Sequence, residues 1–484
     1  MKVFNYMIGF LFLVLSCESV LDKHPYNRLS PHTFWKTESD ALKGLTACYG
    51  RLNTTTFGSV GTGGCVIFWD ALTDNMYANN YLGFPNIGNG VIQSTSGGLI
   101  ANVWNDSYKG INTVNIFLEN VENCEMNEDV RNTYKAEARF LRAFWYMHLV
   151  MCYGDVPKRV EAPAVNDILM ARSPKSEIWE QIRADLDYAI EKLPNEKYTG
   201  HAVKGSALAL KTKVLLFNEH WAEAIVTAKQ LIDSSVFSLH PDYPGNFIRD
   251  GQENNSEILF STKYLAPDMW HGIDLSLGFW GGCAPIAQFV DFFEKLDGWH
   301  EDAPYENRDP RLAMSIFYPG APWAYDKENG FSSRKMNNNN TGFGLKKYIH
   351  TEVDNAGTTT ESDQDFILLR YADVLLMYAE AMYKDGKGND PSVLNAINEI
   401  RDRAGMYPVT AVTEEIIRYE RRVELAFEGH RYYDLKRWKT AHTVIPQIEN
   451  SNGQFRNFEE KHYLWPIPQA EIDINTLLKQ NEGY

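Results

Sequence analysis

ERRVELAFEGHRYYDLKRW, residues Glu420 to Trp438, is the stretch whose reading decides the fold. Counted from just upstream, Ile416, Tyr419, Val423 and Phe427 recur at three- and four-residue intervals, so the spacing predicts a helix with one apolar stripe. Glu420, Arg421, Glu424, Glu428 and Arg431 crowd its flanks, and Gly429 tempers the last turn. So many opposite charges beside an apolar stripe predict partly buried ion pairs. Removing one partner of such a pair costs ~3–5 kcal/mol, because the other charge is left stranded. The chain closes on YLWPIPQAEIDINTLLKQNEGY, Tyr463 to Tyr484, an extended Leu-Trp-Pro-Ile-Pro run followed by a short helix. Trp438 and Trp465 read as core anchors of this end.

Helical stripes continue upstream. Ala136, Phe140, Ala143, Met147 and Val150 form one, ended by Tyr153-Gly154. Ser173-Pro174 reads as an N-cap followed by proline at the first helical position, ahead of a stripe through Ile178, Ile182, Leu186 and Ala189. Further stripes run from Val203 to Phe217, Trp221 to Ile232 and Tyr371 to Met382. Asp390-Pro391 caps the helix carried by Val393, Ile397 and Ile400. Trp104, Trp145 and Trp179 fall within helical patterns and read as structural. Consecutive helices with short turns predict a mainly-α chain of degenerate tetratricopeptide-like helical hairpin repeats.

Two stretches break this pattern, Thr54 to Ile100 and Asp242 to Asp365. They are rich in Gly, Asn and aromatics, with no helical period, and predict two long irregular loop-rich segments folded onto the helices. Glu257 to Ser261 reads as a short strand in the second. Trp69, Asp70, Tyr77, Asn80, Tyr81 and Phe84 mark the first segment. Trp270, Phe279, Trp280, Trp299, Trp323 and Tyr325 punctuate the second. Exposed rings beside Asp and Asn suit a ligand with both an apolar face and hydroxyls.

The 484 residues are enough for one elaborate domain or two intimate lobes. A net charge of −16 disfavours nucleic acid and anionic membrane surfaces. The cysteines after Cys17 (Cys48, Cys65, Cys124, Cys152 and Cys283) are odd in number and show no CxxC spacing, which indicates neither a zinc site nor a disulfide framework. No GxSxG elbow, HExxH helix or phosphate-cradling loop is present, so the reading is non-catalytic and without a cofactor. The Asp- and Asn-rich loops would permit calcium but lack EF-hand spacing.

At the N-terminus, Met1-Lys2 precedes an apolar run from Ile8 to Leu15 that is too short to span a bilayer and reads as a signal peptide. Val14-Leu15-Ser16-Cys17 looks like a lipobox, departing from the usual pattern at Val14 and Leu15; the alternative is a plain cleaved signal. Lipidated, Cys17 would anchor the mature chain by its acyl chains. The expected division is a leader over 1–16, an N-terminal region over 17–240 and a C-terminal region over 241–484.

NVWNDSYKGINTVN (Asn102 to Asn115), EARFLRAFWYMHLVMCYGDVP (Glu137 to Pro157), DPRL (Asp309 to Leu312), LLRYADVLLMYAEA (Leu368 to Ala381) and INEIRDRAG (Ile397 to Gly405) complete an ordered set with the C-terminal strings. Together they resemble the SusD/RagB family, surface lipoproteins of Bacteroidetes-type bacteria that hold nutrient glycans or peptides over an outer-membrane transporter. The resemblance implies a SusD-like fold, an aromatic sugar platform in the two loop segments, and an outer-membrane location through a lipid anchor. It also implies a SusC-like TonB-dependent barrel as partner, facing the helical repeats. The tryptophan-rich loops favour an oligo- or polysaccharide ligand, with peptide cargo as the alternative. Two or three ring platforms plus a few hydrogen bonds predict dissociation constants of roughly micromolar to millimolar.

Overall fold

The computed structural model describes residues 34–484, except 55, 59–65, 79–82, 163–168, 324–325, 334–340, 351–360 and 450–452. Lipidation at Cys17 and the leader lie outside the described residues. Among the described residues, nine helices form the scaffold around the two segments, α1 (Glu38–Tyr49), α2 (Gly98–Asn120), α3 (Glu128–Tyr153), α4 (Lys175–Lys192), α5 (Lys204–Phe217), α6 (Trp221–Asp233), α8 (Tyr371–Lys384), α9 (Pro391–Arg403) and α10 (Glu414–Glu424), while the short α7 (Ala287–Phe292) lies within the second segment. The seven-residue α11 (Arg431–Arg437) follows in the C-terminal signature. Helices α1 to α6 pack largely in succession, and α6 hands over to α8, which packs on α9 and α10. No described helix is long and apolar enough to cross a membrane.

Local chemistry sets the ends. Asn127 caps α3 by accepting from the Asp129 and Val130 N–H groups, and Gly154 at φ 74 ends it. Asp390 caps α9 ahead of Pro391, as its dipeptide predicts. The Ser173-Pro174 expectation shifts by one residue: α4 starts at Lys175 with Pro174 as its cap residue, while the Ser173 backbone pairs with Val156. The stripe through α10 also ends early. The helix stops at Glu424, and Phe427 stands at φ 66, left-handed backbone that a bulky residue rarely adopts. Helices α2 and α3 touch at Gly110, where an added Cβ would meet the Trp145 indole at 2.4 Å. Gly110→Ala is expected to destabilise by ~1–3 kcal/mol through overpacking. Thermal unfolding checks it, and an unaltered midpoint would contradict so close an approach.

Among the described residues, three two-stranded antiparallel ribbons lie in or at the edge of the irregular segments. Strand β1 (Met76–Ala78) pairs with β3 (Cys283–Pro285), placing Tyr77 opposite Ala284 and Ala78 opposite Cys283, so the ribbon ties the first segment to the second. Strand β2 (Ile258–Thr262), foreseen one residue earlier, pairs irregularly with β6 (Phe366–Arg370). Strands β4 (Ile316–Phe317) and β5 (Gly344–Leu345) form the third. One continuous cluster of buried apolar residues runs from Ala41 to Leu478 and draws on both halves of the chain. Cys48, Cys124 and Cys152 are buried thiols within it.

Candidate functional site

The first segment is pinned beneath the C-terminal signature. Trp69, 1% exposed, stacks on Trp465 at 5.4 Å and 14° and on Tyr433 at 5.2 Å. Asp70 is fully buried, and its Oδ2 accepts from the Asn75 side chain at 3.0 Å and from the Phe427 N–H at 2.7 Å. That last bond helps hold Phe427 in its left-handed conformation. Burial pushes the Asp70 pKa up to about 6, against the pull of these hydrogen bonds. Phe84 is buried against Phe68. In the second segment Trp323, 5% exposed, packs edge-on against Phe331 at 5.2 Å. These four residues therefore face the core and present no surface to a ligand, correcting the expectation that they contact one.

The remaining candidates divide. Tyr77 is half-buried on β1, and Trp299 is half-buried with Lys295 Nζ 3.5 Å from its ring centre. Trp270 and Trp280 are 41% and 38% exposed, so each ring offers open surface. Trp280 lies three residues before Cys283, the end of the ribbon that carries Ala78. Asn80, Tyr81, Tyr325 and the Phe279 side chain lie outside the described residues.

Sequence reasoning missed a cleft of about 430 Å³ between Phe292, at the end of α7, and the signature helices α10 and α11. Three rings line it: Phe292, Tyr419 and Trp438. Phe292 and Tyr419 lie 5.3 Å apart and tilted by 32°. Trp438 is half-buried rather than a core anchor, and its indole N–H donates to Glu380 at 2.8 Å. Arg418 lies 4.7 Å over the Trp438 ring and Arg422 lies 4.2 Å over Phe292.

Arg422 and Arg431 are oriented by the first segment. Arg431 grips Asp74 through Nε and Nη2, both at 2.9 Å, while Arg422 reaches Asp74 at 2.9 Å and Asn75 at 2.9 Å. Burial works against the ionised Asp74, but Arg431 and Arg422 outweigh it and hold the carboxyl well below its usual range. Burial also lowers the Arg422 pKa to about 10, against the attraction of Asp74. Each guanidinium spends Nε and Nη2 on these partners, leaving Nη1 without a hydrogen bond among the described residues. The cleft thus offers flat rings and fixed donors side by side. Among the described residues that line it, Glu415 is the acidic one. The signal was present in the sequence, since 415, 418, 419 and 422 share one helical face, but that pattern reads equally as an ion-paired scaffold.

Comparison with known proteins follows the same lines. Residues 272–484 match the SusD family, and residues 66–216 match a family described as starch-binding and associating with the outer membrane. SusD-like protein P2 of Formosa agariphila is 27% identical over 517 residues, spanning 99% of this chain and 100% of its own. A SusD-like carbohydrate binding protein from Bacteroides fragilis superposes with a TM-score of 0.83 at 26% identity, covering 92% of this chain and 100% of that one. A laminarin binding SusD-like protein superposes with a TM-score of 0.78 at 25% identity, covering 93% and 100%. With two irregular segments clasped beneath its signature helices and matches along most of its length, the chain belongs to the SusD/RagB family.

Proposed function

We propose that the chain captures an oligo- or polysaccharide at the outer membrane and passes it to a SusC-like TonB-dependent barrel, tethered by lipid on Cys17 and without acting as an enzyme. The observation that carries the binding role is the cleft where Phe292, Tyr419 and Trp438 stand beside Arg418, Arg422 and Arg431. A pyranose has an apolar C–H face that a ring covers and hydroxyls that guanidinium N–H groups reach. Trp270 and Trp280 would extend contact along a longer chain, since both rings are open to solvent. The carbohydrate- and laminarin-binding relatives share this fold and support the same ligand class.

A glycan array with protein beginning after Cys17, followed by calorimetry on the best ligand, tests the reading. Dissociation constants are expected between about micromolar and millimolar. Phe292→Ala and Trp280→Ala should each weaken binding by roughly 3–10-fold, the worth of one ring platform, with the melting temperature unchanged. Binding indifferent to both variants would move the site elsewhere. Silence across the array together with binding of peptides would replace glycan by peptide as cargo.

A further inference from the structure

Helix α11 has a second cleft on its other side. This one, about 350 Å³, opens between the C-terminal ends of α3 and α5, the start of α4 and the turn after α11. Its lining brings together four cations, Lys175, Lys436, Arg437 and Lys439, against one carboxylate, Glu219. Arg437 is neutralised by Glu380 and by Asp434 at 2.8 Å. The three lysines have no carboxylate within ion-pairing distance among the described residues. Asp155, whose Oδ1 accepts from the Lys175 backbone N–H at 2.8 Å, is not among the residues that line the cleft.

Lys436 is the unusual member. It is 93% buried, being 7% exposed, yet its ammonium makes one hydrogen bond, to the Met151 carbonyl at 3.0 Å. Buried charges are ordinarily paired, and an ammonium has three donors to satisfy. Burial lowers its pKa to about 8, against an upward pull from Cys152 and with a smaller lowering from Lys439. The bond caps the last turn of α3, whose terminus carries about half a negative charge, so it cannot balance three ammonium groups. Lys439 stands 4.4 Å over the Tyr463 ring, and Trp179 lines the same cleft half-buried. In a chain of net charge −16, such an uncompensated concentration of cations is out of keeping with the rest of the molecule.

We propose that this cleft binds the anionic substituent of a charged sugar, a sulfate ester or a uronate carboxylate, with Lys436 at its base and Lys175 and Lys439 at its mouth. An oxyanion supplies the acceptors that the lysines lack, and the half-buried Trp179 ring lies beside the space for the sugar. The sugar part rests on the glycan reading above; the anion part does not. The cleft is separate from the ring-lined one, so the two sites divide the recognition of a partly charged glycan between them.

The test is calorimetry with glucose 6-sulfate, glucuronate and glucose at fixed ionic strength, on the wild-type protein and on a Lys175→Ala/Lys439→Ala variant. Neither lysine is ion-paired, so the variant should keep its melting temperature. Both anionic sugars are expected to bind and glucose not to, with affinity falling about tenfold in the variant and unchanged in Phe292→Ala. No heat from either anionic sugar, or binding that survives in the lysine variant, overturns the proposal. Neutral glycans positive on the array with this result negative would remove the anion site alone. An empty array with glucuronate bound would instead remove the neutral-glycan reading.

Discussion

Replacing Arg370 by leucine is expected to lower stability by ~3–5 kcal/mol. Arg370 is fully buried at the end of β6. Its Nη1 reaches Glu257 at 2.7 Å and Glu424 at 2.8 Å, while Nε reaches Glu428 at 2.6 Å. Glu424 is also held by Arg311 at 3.2 Å and by Arg403, and Glu428 by Lys347 at 2.7 Å. Burial disfavours the ionised form of Glu424, but Arg403, Arg370 and Arg311 overcome it and keep the carboxyl far below its usual range. Without Arg370, three carboxylates lose a shared cation in a place water does not reach. Chemical denaturation reads the loss as a lower midpoint. Glu257→Gln added to Arg370→Leu removes one excess carboxylate while Arg403 keeps Glu424 as its partner, and should recover part of it; a double variant no more stable than Arg370→Leu would contradict this account. For contrast, Lys43→Ala deletes an exposed pair with Asp40 at 3.3 Å and should move the midpoint by less than about 0.5 kcal/mol.

Acidification from pH 6.5 to 4 is expected to destabilise the fold strongly. His271 is fully buried, its Nε2 bonded to the Gln364 carbonyl at 2.9 Å and its Nδ1 accepting from the Ile273 N–H at 3.3 Å. Both ring nitrogens are satisfied in the neutral form, and protonation would break the Ile273 bond. Burial lowers the His271 pKa to about 4, and does the same for His430 (about 4) and His148 (about 3). Each ring therefore carries fewer protons folded than unfolded between its lowered pKa and 6.5, and stability falls as pH drops through that window. His271 alone contributes roughly 3 kcal/mol of this loss. Asp70 opposes it, since a folded pKa near 6 means that it binds its proton earlier than the unfolded chain does. Asp106 and Glu399, raised by burial, and His201 and His350, raised by their hydrogen bonds to Glu137 and Asp274, oppose it as well, but their shifts are smaller than those of the three buried histidines. Urea midpoints at half-unit pH steps should fall steadily below 6.5, and His271→Gln should flatten the slope. A midpoint level from 6.5 to 4.5 would refute the assignment.

The helical scaffold was legible in the sequence because its signals are local: apolar stripes, the Asp390-Pro391 cap, the Gly154 stop. Family membership was legible because long strings occur in a fixed order. The binding residues were less so, for a physical reason. Whether Trp69 or Trp323 is exposed depends on what packs over it, and for Trp69 that cover is Tyr433 and Trp465, far along the chain. Composition marked the irregular segments as aromatic without saying which rings had found partners. Trp438 shows the converse error, since a helical position suggested burial while its ring lines a cleft. Phe427 sat on the predicted stripe, but the helix ends before it and Asp70, 357 residues away, fixes its backbone.

That long reach has a consequence for how the molecule is made. The rings that stack on Trp69 (Tyr433 and Trp465), the cations that neutralise Asp74 (Arg422 and Arg431) and the Phe427 N–H that joins Asn75 on Asp70 arrive at the end of synthesis. A nascent chain threaded out from its N-terminus holds Trp69 without its stacking rings and Asp74 without its cations until those last residues emerge. The first segment thus works as a completion latch, closing on a finished chain and staying open on a truncated one.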